Sequence, residues 1–165
     1  MISGRPMMEG YWNRPDATDQ TLRDGWLHTG DLVVRRPDGG VQLVGRIKDM
    51  VRRGGENVAC VEVEAALERD ERVVASAVVA EPDEVLGEEV KAFLQLAAGV
   101  PADRATAEDI VARAGAELAR FKVPRYVEFV ADFPRTPSER VSKPALKARA
   151  AEAPGTTHDL SPRRS

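Results

Sequence analysis

Val73-Val74-Ala75-Ser76-Ala77-Val78-Val79-Ala80 is a nearly unbroken apolar run. It is answered by Val90 to Leu96, where Val90, Ala92, Leu94 and Leu96 fall on one face of an extended chain. Pro82-Asp83 opens the turn between them. These two strands organise the residues on either side. Before them, Val61 to Arg69 sets Val61, Ala65 and Leu67 among Glu62, Glu64 and Glu68, the pattern of a short amphipathic helix. After them, Thr106-Ala107-Glu108-Asp109 opens a second helix, with Thr106 as its cap and the carboxylates at the positive end of its dipole; it is expected to run to about Arg120. Tyr126 to Val130 alternates as a third strand. With a closing helix, residues 46–150 predict an α+β domain: a small three-stranded sheet with packed helices.

The flanks read differently. Residues 1–45 are rich in Gly, Pro, Asp and Trp, with short apolar stretches at Leu32-Val33-Val34 and Val41-Gln42-Leu43-Val44. Pro37-Asp38-Gly39-Gly40 between them signals a hairpin, because Gly supplies the positive φ that tight turns need. This segment is β-rich. Residues 151–165 show no periodicity and are expected to be a disordered tail.

Composition narrows the function. The 24 Lys and Arg against 27 Asp and Glu leave a net charge of −3, so nucleic acid is not an expected partner and any anion must be held locally. No apolar run approaches the ~20 residues a membrane span requires. Cys60 is the only cysteine, and His28 and His158 are the only histidines. That excludes a disulfide framework, argues against a metal site, and suggests a reducing, cytoplasmic compartment.

The informative motifs are Gly10-Tyr11-Trp12-Asn13, Gly25-Trp26-Leu27-His28-Thr29-Gly30-Asp31, Gly45-Arg46-Ile47-Lys48-Asp49 and Gly54-Gly55-Glu56-Asn57. In this order they resemble the signatures of acyl-CoA synthetases of the adenylate-forming, AMP-binding superfamily. Asp31 has the lone pairs to accept from both hydroxyls of a ribose, and Arg46 offers a planar bidentate donor to phosphate or ribose oxygens. The resemblance assigns both to the nucleotide. It makes Lys48, with Asp49, the hinge between a large and a small domain, and it runs the pantetheine arm of CoA past Gly54, Gly55 and Glu56. Phe121-Lys122-Val123-Pro124 is similar to a further family segment, in which Phe121 and Lys122 either meet the CoA nucleotide or end a helix against the core.

The last signature departs from the pattern. Pro134-Arg135-Thr136-Pro137-Ser138-Glu139-Arg140-Val141-Ser142-Lys143 is similar to the family's Pro-x-Thr-x-x-Gly-Lys segment, whose Lys offsets charge as pyrophosphate leaves. Here Glu139 stands at the Gly position and Arg140 at the Lys position. Arg keeps the charge but is bulkier and planar. Lys143 is the weaker alternative, with a helix-start surface lysine as its other reading.

The resemblance implies an acid:CoA ligase acting through an acyl-adenylate, with ATP and CoA as substrates and Mg²⁺ held with ATP outside this chain. Residues 1–45 become the end of a large AMP-binding domain whose remainder is missing, residues 46–150 the small C-terminal domain, and the isolated chain is expected to be inactive. The alternatives are a non-catalytic remnant or a nucleotide- or CoA-binding interaction module. The acid is not legible, because no acyl pocket is encoded.

Overall fold

The computed structural model describes residues 1–4, 7–152 and 155–161. The chain divides into two compact units, Met1–Lys48 and Asp49–Ser165.

The first unit contains helix α1 (Pro15–Thr21) and two antiparallel hairpins. One pairs β1 (Leu22–Arg23) with β2 (Trp26–Leu27) across Asp24 and Gly25, both at positive φ, the backbone that a two-residue turn between right-twisted strands demands. The other pairs β3 (Asp31–Arg35) with β4 (Val41–Arg46) across the expected Pro37–Gly40 turn, where Gly39 has φ 83° and the Asp38 carboxylate accepts the Gly40 amide at 2.8 Å. Val33, Val34, Val41 and Leu43 on this hairpin are exposed.

The second unit is the α+β domain. Its elements are β5 (Met50–Arg53), β6 (Glu56–Ala59), α2 (Cys60–Leu67), β7 (Val73–Asp83), β8 (Gly87–Leu96), α3 (Arg104–Gly115), a 3₁₀ turn (Arg120–Lys122), β9 (Tyr126–Phe129), α4 (Lys143–Glu152) and β10 (Thr157–Asp159). β7 and β8 pair antiparallel from Val73↔Leu96 to Asp83↔Gly87. β9 lies parallel to β8, Lys91↔Tyr126 to Leu94↔Phe129, and α3 lies in the crossover that parallel pairing requires. The three expected strands are therefore present, but among the described residues the sheet has six: β5, β6 and β10 extend it.

Alternation along the strands builds a core on each face of the sheet. Val78, Val90, Ala92, Leu94 and Val127 cluster with Val63 and Leu67 of α2 and with Ala107, Ile110 and Val111 of α3. Ala77, Val79 and Phe93 cluster with Phe133 and with Leu146 of α4. Charged groups are buried in the sheet as well. The Lys91 ammonium lies 3.0 Å from Glu128, which also accepts from the Thr157 hydroxyl of β10. Each charge thereby has the partner that burial demands.

Several expectations are corrected. Thr106 does not cap α3: the Asp103 carboxylate accepts the Thr106 amide at 2.9 Å, and Thr106 is buried in the first turn. The helix ends at Gly115, not Arg120, and the chain re-forms a single 3₁₀ turn around Phe121. β7 continues through Pro82 to Asp83, because the Asp83 carboxylate takes the amides of Val85 and Leu86 and tightens the turn one residue later. The tail is not without order: α4 runs to Glu152, and β10 pairs antiparallel with β9 while Leu160 packs on the core. A non-periodic segment borrows its hydrogen bonds from an open sheet edge, which local pattern cannot reveal. Ala153, Pro154 and residues 162–165 of that tail lie outside the described residues.

Candidate functional site

Asp31 opens β3 and Arg46 closes β4, and antiparallel register sets them opposite each other. The Arg46 Nε donates to Asp31 Oδ1 at 2.8 Å. Asp31 is half-buried and Arg46 exposed, so carboxylate and guanidinium stand together at the surface with the second carboxylate oxygen carrying no bond among the described residues. Two residues on, Lys48 sits exposed in a turn and is the last residue of the first unit. Asp49 begins the second, its carbonyl accepting the Cys60 amide at 3.2 Å.

Gly54 and Gly55 form the two-residue turn between β5 and β6, with Arg53↔Glu56 as the last pair. Their φ values of 58° and 89° favour glycine at both places. The Gly54 amide donates to the Leu86 carbonyl at 2.9 Å, and a Cβ on Gly54 would meet a Leu86 methyl at 3.2 Å. Glu56 is exposed beside them.

The Phe121 carbonyl accepts from Arg53 Nη1 at 3.0 Å, so the two segments that the sequence separates are joined here. Phe121 packs half-buried against the core, and the Lys122 ammonium is gripped by both Glu62 carboxylate oxygens at 2.6 and 2.8 Å. Much of the charge of Lys122 is therefore spent within the fold.

The Thr136–Arg140 segment is a tight hairpin. The Thr136 amide donates to the Arg140 carbonyl at 2.8 Å, the Glu139 amide to the Thr136 carbonyl at 2.9 Å, and Arg135 bridges to Val141. Pro137 stands second in the turn, and Glu139 closes it with φ 61°, the left-handed backbone that glycine adopts without steric cost. Arg140 is exposed, and its guanidinium has no ion pair among the described residues. Lys143, at the start of α4, is half-buried with its ammonium 2.7 Å from Glu64 Oε1.

Three participants were missed by sequence reading. Arg53, Glu89 and Glu62 hold these segments in place, and the available signals were a cation directly before Gly54-Gly55 and a carboxylate, Glu89, leading into an apolar strand. Cys60 is buried at the start of α2. Burial pushes its thiol up to about 11, which leaves it protonated and inert at neutral pH. Among the described residues no three His, Cys, Asp or Glu side chains converge on a point where a metal ion could sit. No helix among them is long and apolar enough to cross a membrane.

Residues 62–140 match the family of the AMP-binding enzyme C-terminal domain. Over this stretch the chain is similar to that domain family. The match takes in α2 through the Arg140 hairpin, while wider similarity reaches the preceding unit. Feruloyl-CoA synthase of an Amycolatopsis species is 41% identical over 151 residues, covering 90% of this chain and 30% of that protein. The crotonobetaine/carnitine–CoA ligase of a Proteus species is 39% identical over 146 residues, 88% of this chain and 28% of that one. The o-succinylbenzoate-CoA synthetase of Bacillus subtilis, solved with its acyl-adenylate intermediate, superposes with a TM-score of 0.79 at 29% identity over 88% of this chain and 29% of its own. The chain thus spans less than a third of the length of these CoA ligases. Outside the matched stretch, the second unit adds β5 and β6 before α2, and α4 and β10 after the hairpin.

Proposed function

We propose that this chain supplies the nucleotide grip and the CoA-delivering lobe of an acid:CoA ligase. In the first half-reaction a carboxylate oxygen attacks the α-phosphorus of ATP and pyrophosphate leaves. In the second, the CoA thiol attacks the acyl-adenylate carbonyl, the C–S bond forms, and AMP departs. The observation that carries this reading is the Asp31–Arg46 pair immediately before exposed Lys48. A ribose can take the open oxygen of Asp31 while the guanidinium of Arg46 turns its remaining donors to phosphate. Lys48 and Asp49 form the pivot, since an exposed turn absorbs torsion changes without disturbing either core. Gly54, Gly55 and Glu56 line the path of the pantetheine arm, with Phe121 and Lys122 toward the CoA nucleotide. Arg140 stands at the position whose cation offsets charge during adenylation; Lys143, committed to Glu64, is the weaker candidate. A large domain bearing the ATP phosphates and their Mg²⁺ is the implied partner, and the single buried Cys60 fits a cytoplasmic setting.

Joining this chain to the preceding 70% or so of the Amycolatopsis feruloyl-CoA synthase tests the reading. The graft should show acid-dependent ATP–pyrophosphate exchange and CoA-dependent AMP release, and Asp31→Ala should weaken ATP binding by ten-fold or more. Loss of both half-reactions in a folded graft refutes it. The Glu139-Arg140 departure favours a second reading, a non-catalytic nucleotide- or CoA-binding module. A graft that binds AMP or CoA without turnover, and is restored by E139G with R140K, selects that one.

A further inference from the structure

Arg53 stands immediately before the Gly54–Gly55 turn, and its guanidinium serves two partners. Nη2 donates to Glu89 at 2.8 Å, and Nη1 donates to the Phe121 carbonyl at 3.0 Å. Glu89 is 1% exposed, so Arg53 supplies the cation that such a buried carboxylate requires. The Arg53 Nε is itself enclosed without any partner among the described residues. A buried donor left unpaired is a cost, and here it accompanies the placement of both terminal nitrogens.

The bonds form a closed circuit. Arg125 Nη1 lies 3.9 Å from Glu89 and donates to Asp83 at 3.1 Å. The Asp83 carboxylate takes the amides of Val85 and Leu86, and the Leu86 carbonyl takes the amide of Gly54, which returns the circuit to the residue after Arg53. The Gly54–Gly55 turn is thus fixed from two sides, and the Arg53 side chain hydrogen-bonds from its root to the Phe121–Lys122 turn. We propose that Arg53 is a positioning residue that sets the spacing between these two turns, and so between the places where the two ends of one CoA molecule are received. The proposal rests on the reading that the turns meet CoA; the spacing itself does not.

The test uses the 165-residue chain with Arg53→Lys and Arg53→Met. Lys keeps a cation for Glu89 without the planar fork that sends separate nitrogens to the two acceptors, so it guards against simple loss of folding. In both variants amide exchange at Gly54 and Lys122 should rise together by ten-fold or more, while Ala92 and Leu94 on β8, which has strands on both sides, stay within two-fold of wild type. Unchanged exchange at Gly54 and Lys122 overturns the brace. Binding is then read from the amide resonances of Gly54, Gly55 and Lys122 with three probes: CoA, pantetheine, and adenosine 3′,5′-bisphosphate. A spacing role weakens CoA about ten-fold and leaves each half-molecule within two-fold. An equal loss for all three makes Arg53 a direct contact or a general structural residue and overturns the proposal. If CoA moves none of these resonances in the wild-type chain although the exchange result holds, the CoA reading falls and the brace stands.

Discussion

Glu139 occupies left-handed backbone at φ 61° in an exposed turn, and its side chain makes no hydrogen bond or ion pair among the described residues. A non-glycine residue costs roughly 1 kcal/mol there, since its Cβ crowds the following carbonyl oxygen. Glu139→Gly removes that strain but returns about 0.4–1 kcal/mol by freeing the unfolded chain, so the net gain is only about 0.3 kcal/mol. Glu139→Asn tolerates the conformation without that entropic loss and should gain about 0.5 kcal/mol, whereas β-branched Glu139→Val should lose about 1 kcal/mol more than Glu. The Arg135 guanidinium donates to the Glu139 backbone carbonyl, so that bond survives every substitution. The contrast between Asn and Val is therefore about 1.5 kcal/mol, or roughly ten-fold in opening of the hairpin. The Thr136 amide, bonded to the Arg140 carbonyl, reports that opening through its exchange rate. Equal Thr136 exchange in the Asn and Val variants would refute the assignment of strain to this position, and with it the account of why the family pattern has glycine there.

Other perturbations follow from the packing and the charges. The Asp70 side chain is 7% exposed, and the Arg72 guanidinium holds its carboxyl down to about 2 against an ordinary 3.8. Its folded value is depressed, so its contribution is complete above pH 4 and fades as the pH falls toward 2; Asp70→Asn should cost about 1–2 kcal/mol at pH 7 and flatten acid unfolding in that window, measured by urea titration at several pH values. Ile110→Ala empties a fully buried site between α3 and the sheet and should cost about 3 kcal/mol by the same titration, with an unchanged slope. Glu64 accepts both from Lys143 and from the Val78 amide, so Glu64→Ala should destabilise more than Lys143→Ala by about 1 kcal/mol.

The domain was legible wherever period and burial agree. The one-sided pattern Val90, Ala92, Leu94 and the apolar run ending at Ala80 named β8 and β7, since a sheet with cores on both faces tolerates apolar residues at nearly every position. β5 and β6 escaped because four-residue strands with Arg52, Arg53 and Glu56 carry little apolar signal, and their hairpin is specified instead by two glycines at positive φ. β10 escaped because its stability comes from Glu128 and Arg125, which lie about thirty residues away in the chain. Among the candidate site residues, Asp31 and Arg46 were singled out by motif, and their pairing follows from strand register. Motif alone did not reveal that Glu62 holds Lys122 or that Arg53 reaches Phe121, because both depend on tertiary approach across sixty residues or more.

Among the described residues β7 has a hydrogen-bonded neighbour strand on one side only, and eleven residues of largely apolar strand with an open flank are a template onto which another chain could add itself. The second flank is blunted by α2. Glu68 takes the Ser76 amide at 2.9 Å and Glu64 takes the Val78 amide at 2.7 Å, so two of the donors an incoming strand would need are already spent on carboxylates. Carboxylates on α2 and at its C-cap thus occupy donors that intermolecular sheet growth would use.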